Sequence, residues 1–176
     1  MTTLTSSEDR ALSNLASKLR ANKQDLFNLI NFESGWNPQI KNPYSSARGL
    51  IQFMDTTAKG MGYNGSKDLI DTHKTRIAQL EGPVYKYLKP YAPFPTQQSL
   101  YMAVFYPKFR KVSPYTEFSD RVKKVNPNIN IVQDYVDKVN RKGGNYTVKK
   151  GLGLGTMTIL GLAFYYRKKL MKMLKL

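Results

Sequence analysis

The chain has 176 residues, with 28 Lys and Arg against 12 Asp and Glu, for a net charge of +16. That length allows one ordinary domain with a small appendage, and that charge requires an anionic environment: nucleic acid, an anionic membrane surface or cell-wall polymer. The absence of cysteine and the single histidine, His73 in the polar stretch DTHKTR, argue against a thiol nucleophile, a disulfide framework, a Ser-His-Asp triad or a histidine metal centre, so no metal or cofactor is expected.

No basic start leads into an apolar core at the N-terminus, so no secretory signal is expected there. MTTLTSSEDRALSNLASKLR instead predicts a capped amphipathic helix. Ser6, Ser7 and Asp9 supply N-cap chemistry, and Leu12, Leu15, Ala16 and Leu19 recur at helical spacing. A second helix is expected from Gln24 to Glu33. Its apolar positions Leu26, Leu29 and Ile30 make position 33 the next on the buried face. A glutamate near a helix end is ordinarily a solvated surface acid. Held against apolar neighbours, its charged form is disfavoured and its pKa rises, which is how a glutamate becomes a general acid near neutral pH.

From Gly35 to Gly65, Asn-Pro pairs and glycines mark loops around one short apolar piece, GLIQFM. A helical pattern resumes near 67–90 and ends in the Pro-rich joint KPYAPFP. Another helix, QQSLYMAVFY, is stopped by Pro107. VNPNINIVQDYVDKVN gives one further weak helix. No alternating strand series appears, so the body is expected to be mostly α.

Residues 149–176 carry +7 of the +16 and no acid. Within them GLGLGTMTILGLAFYY (151–166) is uncharged and bracketed by Lys149-Lys150 and Arg167-Lys168-Lys169. Sixteen residues give about 24 Å of helix, a little short of a hydrocarbon core of roughly 30 Å, but flanking Lys and Arg can snorkel and Tyr165-Tyr166 suit an interface belt. A transmembrane helix is therefore expected there, with a buried core helix as the alternative. RKKLMKMLKL after it reads as a basic amphipathic tail for anionic headgroups. The expected layout is a domain over 1–142, a basic linker over 143–150, the membrane helix over 151–166 and the tail over 167–176.

Residues 33–58 read ESGWNPQIKNPYSSARGLIQFMDTTA. Glu33-Ser34, Trp36-Asn37-Pro38, Gly49-Leu50, Gln52, Met54 and Thr57-Ala58, in that order, resemble the soluble lytic transglycosylase family, which has a lysozyme-like fold. The looser resemblance runs over roughly 24–125. LYMAVFYP (100–107) is similar to a version found in phage-encoded transglycosylase domains. There are departures. Cellular members carry Ala-Tyr-Asn-Ala-Gly where this chain has Ala103-Val104-Phe105-Tyr106-Pro107, and Asp55 stands where a proline usually follows the Gly-Leu-x-Gln-x-Met motif.

The resemblance implies a lysozyme-like helical domain that cleaves the bond between N-acetylmuramic acid and N-acetylglucosamine in peptidoglycan without adding water, closing a 1,6-anhydro ring. It makes Glu33 the catalytic residue and puts Gln52 on the substrate's acetamido group. The family's second active-site tyrosine has no direct match, and Tyr101 and Tyr106 are both candidates for substrate binding. Ser34 is read as support for Glu33, Trp36 as a core anchor with its N–H satisfied, and Gly49 as a close backbone approach. If Asp55 faced Glu33, a two-carboxylate hydrolase would be the reading instead. The remaining alternative is an inactive structural protein linking membrane and capsid. The expected partners are glycan strands, a lipid membrane through the C-terminal helix, and capsid or other virion proteins. A virion internal membrane or the host envelope is the expected location. No helix-turn-helix, zinc or RNA-binding signature is present, so no specific nucleic acid is expected.

Overall fold

The computed structural model describes residues 1–149. The membrane helix expected over 151–166 and the tail over 167–176 lie outside the described residues, among which no helix is long and apolar enough to cross a membrane.

The fold is mostly helical, as expected, and begins with a strand that was not. β1 (Thr2–Thr5) leads directly into α1 (Ser6–Leu19). Thr5, rather than Ser6 or Ser7, is the N-cap: it accepts from the Glu8 N–H while Glu8 accepts from the Thr5 N–H, a reciprocal capping box. α1 buries Leu12, Leu15, Ala16 and Leu19. α2 (Lys23–Ser34) is capped by Asn22, whose side chain accepts from the N–H groups of Gln24 and Asp25, and it stops at Gly35 in the left-handed conformation. α2 is the central helix. It buries Leu26, Phe27, Leu29 and Ile30 and packs against α1, α7 (Gln97–Phe105) and α9 (Val132–Gly143).

The Gly-rich middle folds as loops around two short helices, α3 (Asp55–Gly60) and α4 (Ser66–Thr72). GLIQFM lies largely in a tight turn closed by paired hydrogen bonds between Arg48 and Phe53. The single helix expected near 67–90 is broken. α4 ends at Thr72, α5 (Arg76–Gln79) restarts under a Thr75 cap, and residues 80–84 form one wide π turn before α6 (Tyr85–Leu88). Pro83 accounts for the wide turn, since it has no N–H to give to the regular ladder. After α7, the chain runs through α8 (Asp120–Val125) to α9.

β2 (Tyr146–Lys149) closes the described chain and pairs in parallel with β1, Thr2 opposite Tyr146 and Thr5 opposite Lys149. It falls in the stretch read as a linker, and it corrects the expectation that no strand is present. Only Tyr146 of the four is partly buried, so the sequence carries no alternation to read. Tyr146 stacks on Phe27 at 4.4 Å and donates to Asp9, which Lys23 also meets at 2.6 Å.

One buried amide holds the loops together. Gln79 is fully buried. Its Oε1 accepts from the Leu50 N–H at 2.9 Å, and its Nε2 donates to the carbonyls of Pro38 at 2.6 Å and His73 at 2.9 Å. Gly49 passes so close that a Cβ would sit 2.7 Å from that Oε1, and its φ of +76° also favours glycine. Gln79→Leu leaves the buried Leu50 N–H and the partly buried Pro38 and His73 carbonyls without their partner. It should cost the full-length chain about 3 kcal/mol in urea unfolding, and an unchanged midpoint would show the amide to be dispensable.

Candidate active site

Glu33 sits in the last turn of α2, on the face its period assigns to the interior. It retains partial solvent access while being densely surrounded by protein. Burial pushes this carboxyl up from an ordinary 4.5 to about 7, against the opposing pull of a hydrogen bond from Tyr135. That bond, Tyr135 Oη to Glu33 Oε1, measures 2.7 Å and ties α9 to α2. The Tyr135 ring is 2 % exposed. It stacks on Phe105 of α7 at 4.2 Å and meets the edge of Phe32 at 5.6 Å. Rings from α2 and α7 thus hold the α9 tyrosine that bonds to the acid.

The two tyrosines expected at the site make their contacts with other groups. Tyr101 is fully buried and donates to Asn140 at 3.1 Å, and burial raises its phenol well above the ordinary range. Tyr106 closes α7 and packs edge-on against Phe109 and Phe118. Neither hydrogen-bonds to Glu33; Tyr135 does, and sequence reading missed it. A signal was present. Val132, Tyr135, Val136 and Val139 form the buried stripe of α9, and a hydroxyl on a core face requires a buried partner.

Ser34 donates to the Ile30 carbonyl at 3.0 Å, one turn back in its own helix. Trp36 is fully buried and stacks on Phe27 at 5.3 Å, as an anchor should. Its N–H, expected to be satisfied, has no partner among the described residues, because the ring lies in apolar surroundings. The Trp36 carbonyl accepts from Arg76 Nε at 2.7 Å, across the loop. Gln52 is partly buried with a left-handed φ of +55°, and its Nε2 donates to the Gly49 carbonyl at 3.1 Å. Its side-chain oxygen accepts nothing among the described residues, and no hydrogen bond joins it to Glu33. Non-glycine residues in this region of backbone space cost on the order of 1–3 kcal/mol and concentrate at functional sites. Trp36, at φ +65°, is another.

Asp55 is committed elsewhere. Its Oδ1 accepts from the hydroxyl and N–H of Ser66, at 2.7 and 2.8 Å, which holds the carboxyl below the usual carboxylate range. It therefore joins α3 to α4. His73 meets the Tyr63 hydroxyl at 2.8 Å and lies against Gly82. Among the described residues no cluster of acids and histidines is placed to hold a metal.

Two consequences are measurable. Glu33 holds its proton more tightly in the fold than in the unfolded chain. Its stabilising contribution is therefore complete below about pH 4.5 and lost as pH rises through about 7. Glu33→Gln should be the more stable protein at pH 8, by up to about 3 kcal/mol, with the gap closing by pH 4.5; a gap of constant size in thermal melts across that range would contradict a raised pKa. Tyr135→Phe removes a bond that favours the carboxylate, so the Glu33 pKa should climb further, read by carbon NMR of its carboxyl.

Residues 11–78 match the family model described as Transglycosylase SLT domain. The match runs from α1 to α5 and includes Glu33, Gly49 and Gln52, but ends before the helices that bring Phe105 and Tyr135 to the acid. No curated protein matches the chain. Over residues 11–78, the chain is similar to the transglycosylase SLT domain.

Proposed function

We propose that the protein is a lytic transglycosylase acting on peptidoglycan, with Glu33 as its one acid and base. The observation that carries this reading is a single carboxyl raised to about 7 by burial, under a tyrosine hydroxyl. The reaction needs such a group. Protonated Glu33 gives its proton to the glycosidic oxygen as the bond from the muramoyl C1 breaks. The substrate's acetamido group steadies the cation-like centre. Glu33, now a carboxylate, takes the proton of the muramoyl 6-hydroxyl as that oxygen bonds to C1, and the acid is regenerated with no water consumed. Tyr135 would orient the carboxyl and stabilise it during its charged interval, as a positioning residue. Gln52, with an unused side-chain oxygen on a strained turn, can accept from the acetamido N–H. Two-carboxylate hydrolysis fits less well, since Asp55 is bound to Ser66.

The uncharged stretch 151–166 between basic clusters supports a membrane tether following β2, and residues 100–107 support a phage virion enzyme that opens the wall during entry. The virion's internal membrane or the host envelope is then its location, and capsid proteins are its neighbours.

The test is digestion of purified sacculi by the full chain and by Glu33→Gln, with mass spectrometry of the released fragments. Products ending in 1,6-anhydromuramic acid, one water lighter than hydrolytic ones, should appear only with Glu33 present. Activity should fall as pH rises through about 7, where Glu33 loses the proton it must donate. Reducing-end products would make the enzyme a hydrolase. No cleavage by folded protein would favour a structural role.

A further inference from the structure

The central helix α2 carries a row of side-chain amides ahead of Glu33. Gln24, Asn28 and Asn31 recur at i, i+4 and i+7, the spacing of one helix face. The last carbonyls of a helix have no partner in their own ladder. Those at the end of α9 find theirs on this row. Asn31 Nδ2 donates to the carbonyls of Lys142 at 3.0 Å and Gly143 at 2.9 Å, and Gln24 Nε2 donates to that of Gly144 at 3.0 Å. Thr2 of β1 donates to Asn31 Oδ1 at 2.9 Å, which leaves the NH2 end of the amide turned toward α9. Gly143 permits the approach: a Cβ there would lie 2.5 Å from Asn28 Cγ and 2.8 Å from Asn28 Cβ.

The same two helices meet at the acid. Tyr135, Val139 and Gly143 are buried and follow at helical spacing, so one face of α9 carries both the phenol that bonds to Glu33 and the terminus that Asn31 holds. From Tyr135 to Gly143 the helix rises about 12 Å. Asn31 and Glu33 share the last turn of α2. Phe32, between them, meets the Tyr135 ring at 5.6 Å and lies under Lys142 Nζ at 5.7 Å. Burial above all, with Glu33 and Tyr101 of α7 adding to it, holds the Tyr135 phenol well above its ordinary range, so it remains a donor. Resting on the reading of Glu33 as the acid, we propose that Asn31 is a positioning residue for it: by fixing the end of α9, its amide sets the depth at which Tyr135 meets the carboxyl.

The test is carbon NMR of the Glu33 carboxyl, titrated in the full chain in detergent micelles for Asn31→Leu, Tyr135→Phe and the double variant. Asn31→Leu should raise the Glu33 pKa by about half a pH unit, as loss of the phenol does, and add nothing where Tyr135 is already replaced. Gly143→Ala, whose Cβ must displace the end of α9, should raise it likewise and serves if Asn31→Leu does not fold. Gln24→Leu removes a bond to the residue just past α9; it should lower the melting temperature and leave the Glu33 pKa in place. Additive effects of Asn31→Leu and Tyr135→Phe would mean that the amide acts by another route, such as moving Lys142, and would overturn the assignment. So would a Glu33 pKa that stays put or falls in Asn31→Leu and Gly143→Ala, or an equal rise in Gln24→Leu. The readout needs no substrate, which separates the two readings. Coupled pKa values without wall cleavage would sink the cleavage reading and leave Asn31 its role; cleavage with uncoupled values would do the reverse.

Discussion

A carboxyl that must be uncharged at rest and charged a moment later needs surroundings that tolerate both states. The contact between Tyr135 and Glu33 supplies this. Dense packing around the carboxyl favours its protonated form, while the phenol, held by rings of α2 and α7, offers one hydrogen bond that the ionised form uses better. The two residues lie 102 positions apart, so the site exists only when α9 has docked on α2. The apolar stripes of both helices serve that docking.

The remainder of the domain keeps α2 where this contact needs it. Both of its ends are firmly terminated, by the Asn22 cap and by left-handed Gly35. Beyond Gly35 the chain would be free to wander, having little regular structure until α3. Trp36, sunk into the core against Phe27, and Gln79, bonded to three backbone groups, restrain it instead. Asp55 does the same between α3 and α4. The carboxylates divide by task. Asp55 and Asp9 are ionised and bonded, and act as fasteners; Glu33 alone is raised into the range of proton transfer.

Much of this was legible in the chain. The helical period placed Glu33 inside, and the motif from Glu33 to Ala58 singled out Gln52 and Gly49. Local signals failed where the cause was remote. Tyr135 sits on a well-patterned helix, but its partner is a hundred residues away, and attention to the aromatic run before Pro107 drew the assignment to Tyr101 and Tyr106. The buried amide that bridges the loops is Gln79, which nothing in RIAQLEG distinguishes from a surface glutamine. β1 and β2 were invisible because neither alternates and each exists only by pairing with the other.

That pairing has a mechanical meaning. β2 runs parallel to β1, and its last residue, Lys149, lies beside the start of α1, where Ser6 donates to its carbonyl at 3.0 Å. A pull applied beyond Lys149 along the strand direction would reach the domain through β2. The strand is then loaded in shear, with its ladder bonds and the partly buried Tyr146 ring resisting together, whereas a strand pulled sideways from a sheet edge would lose its bonds one at a time.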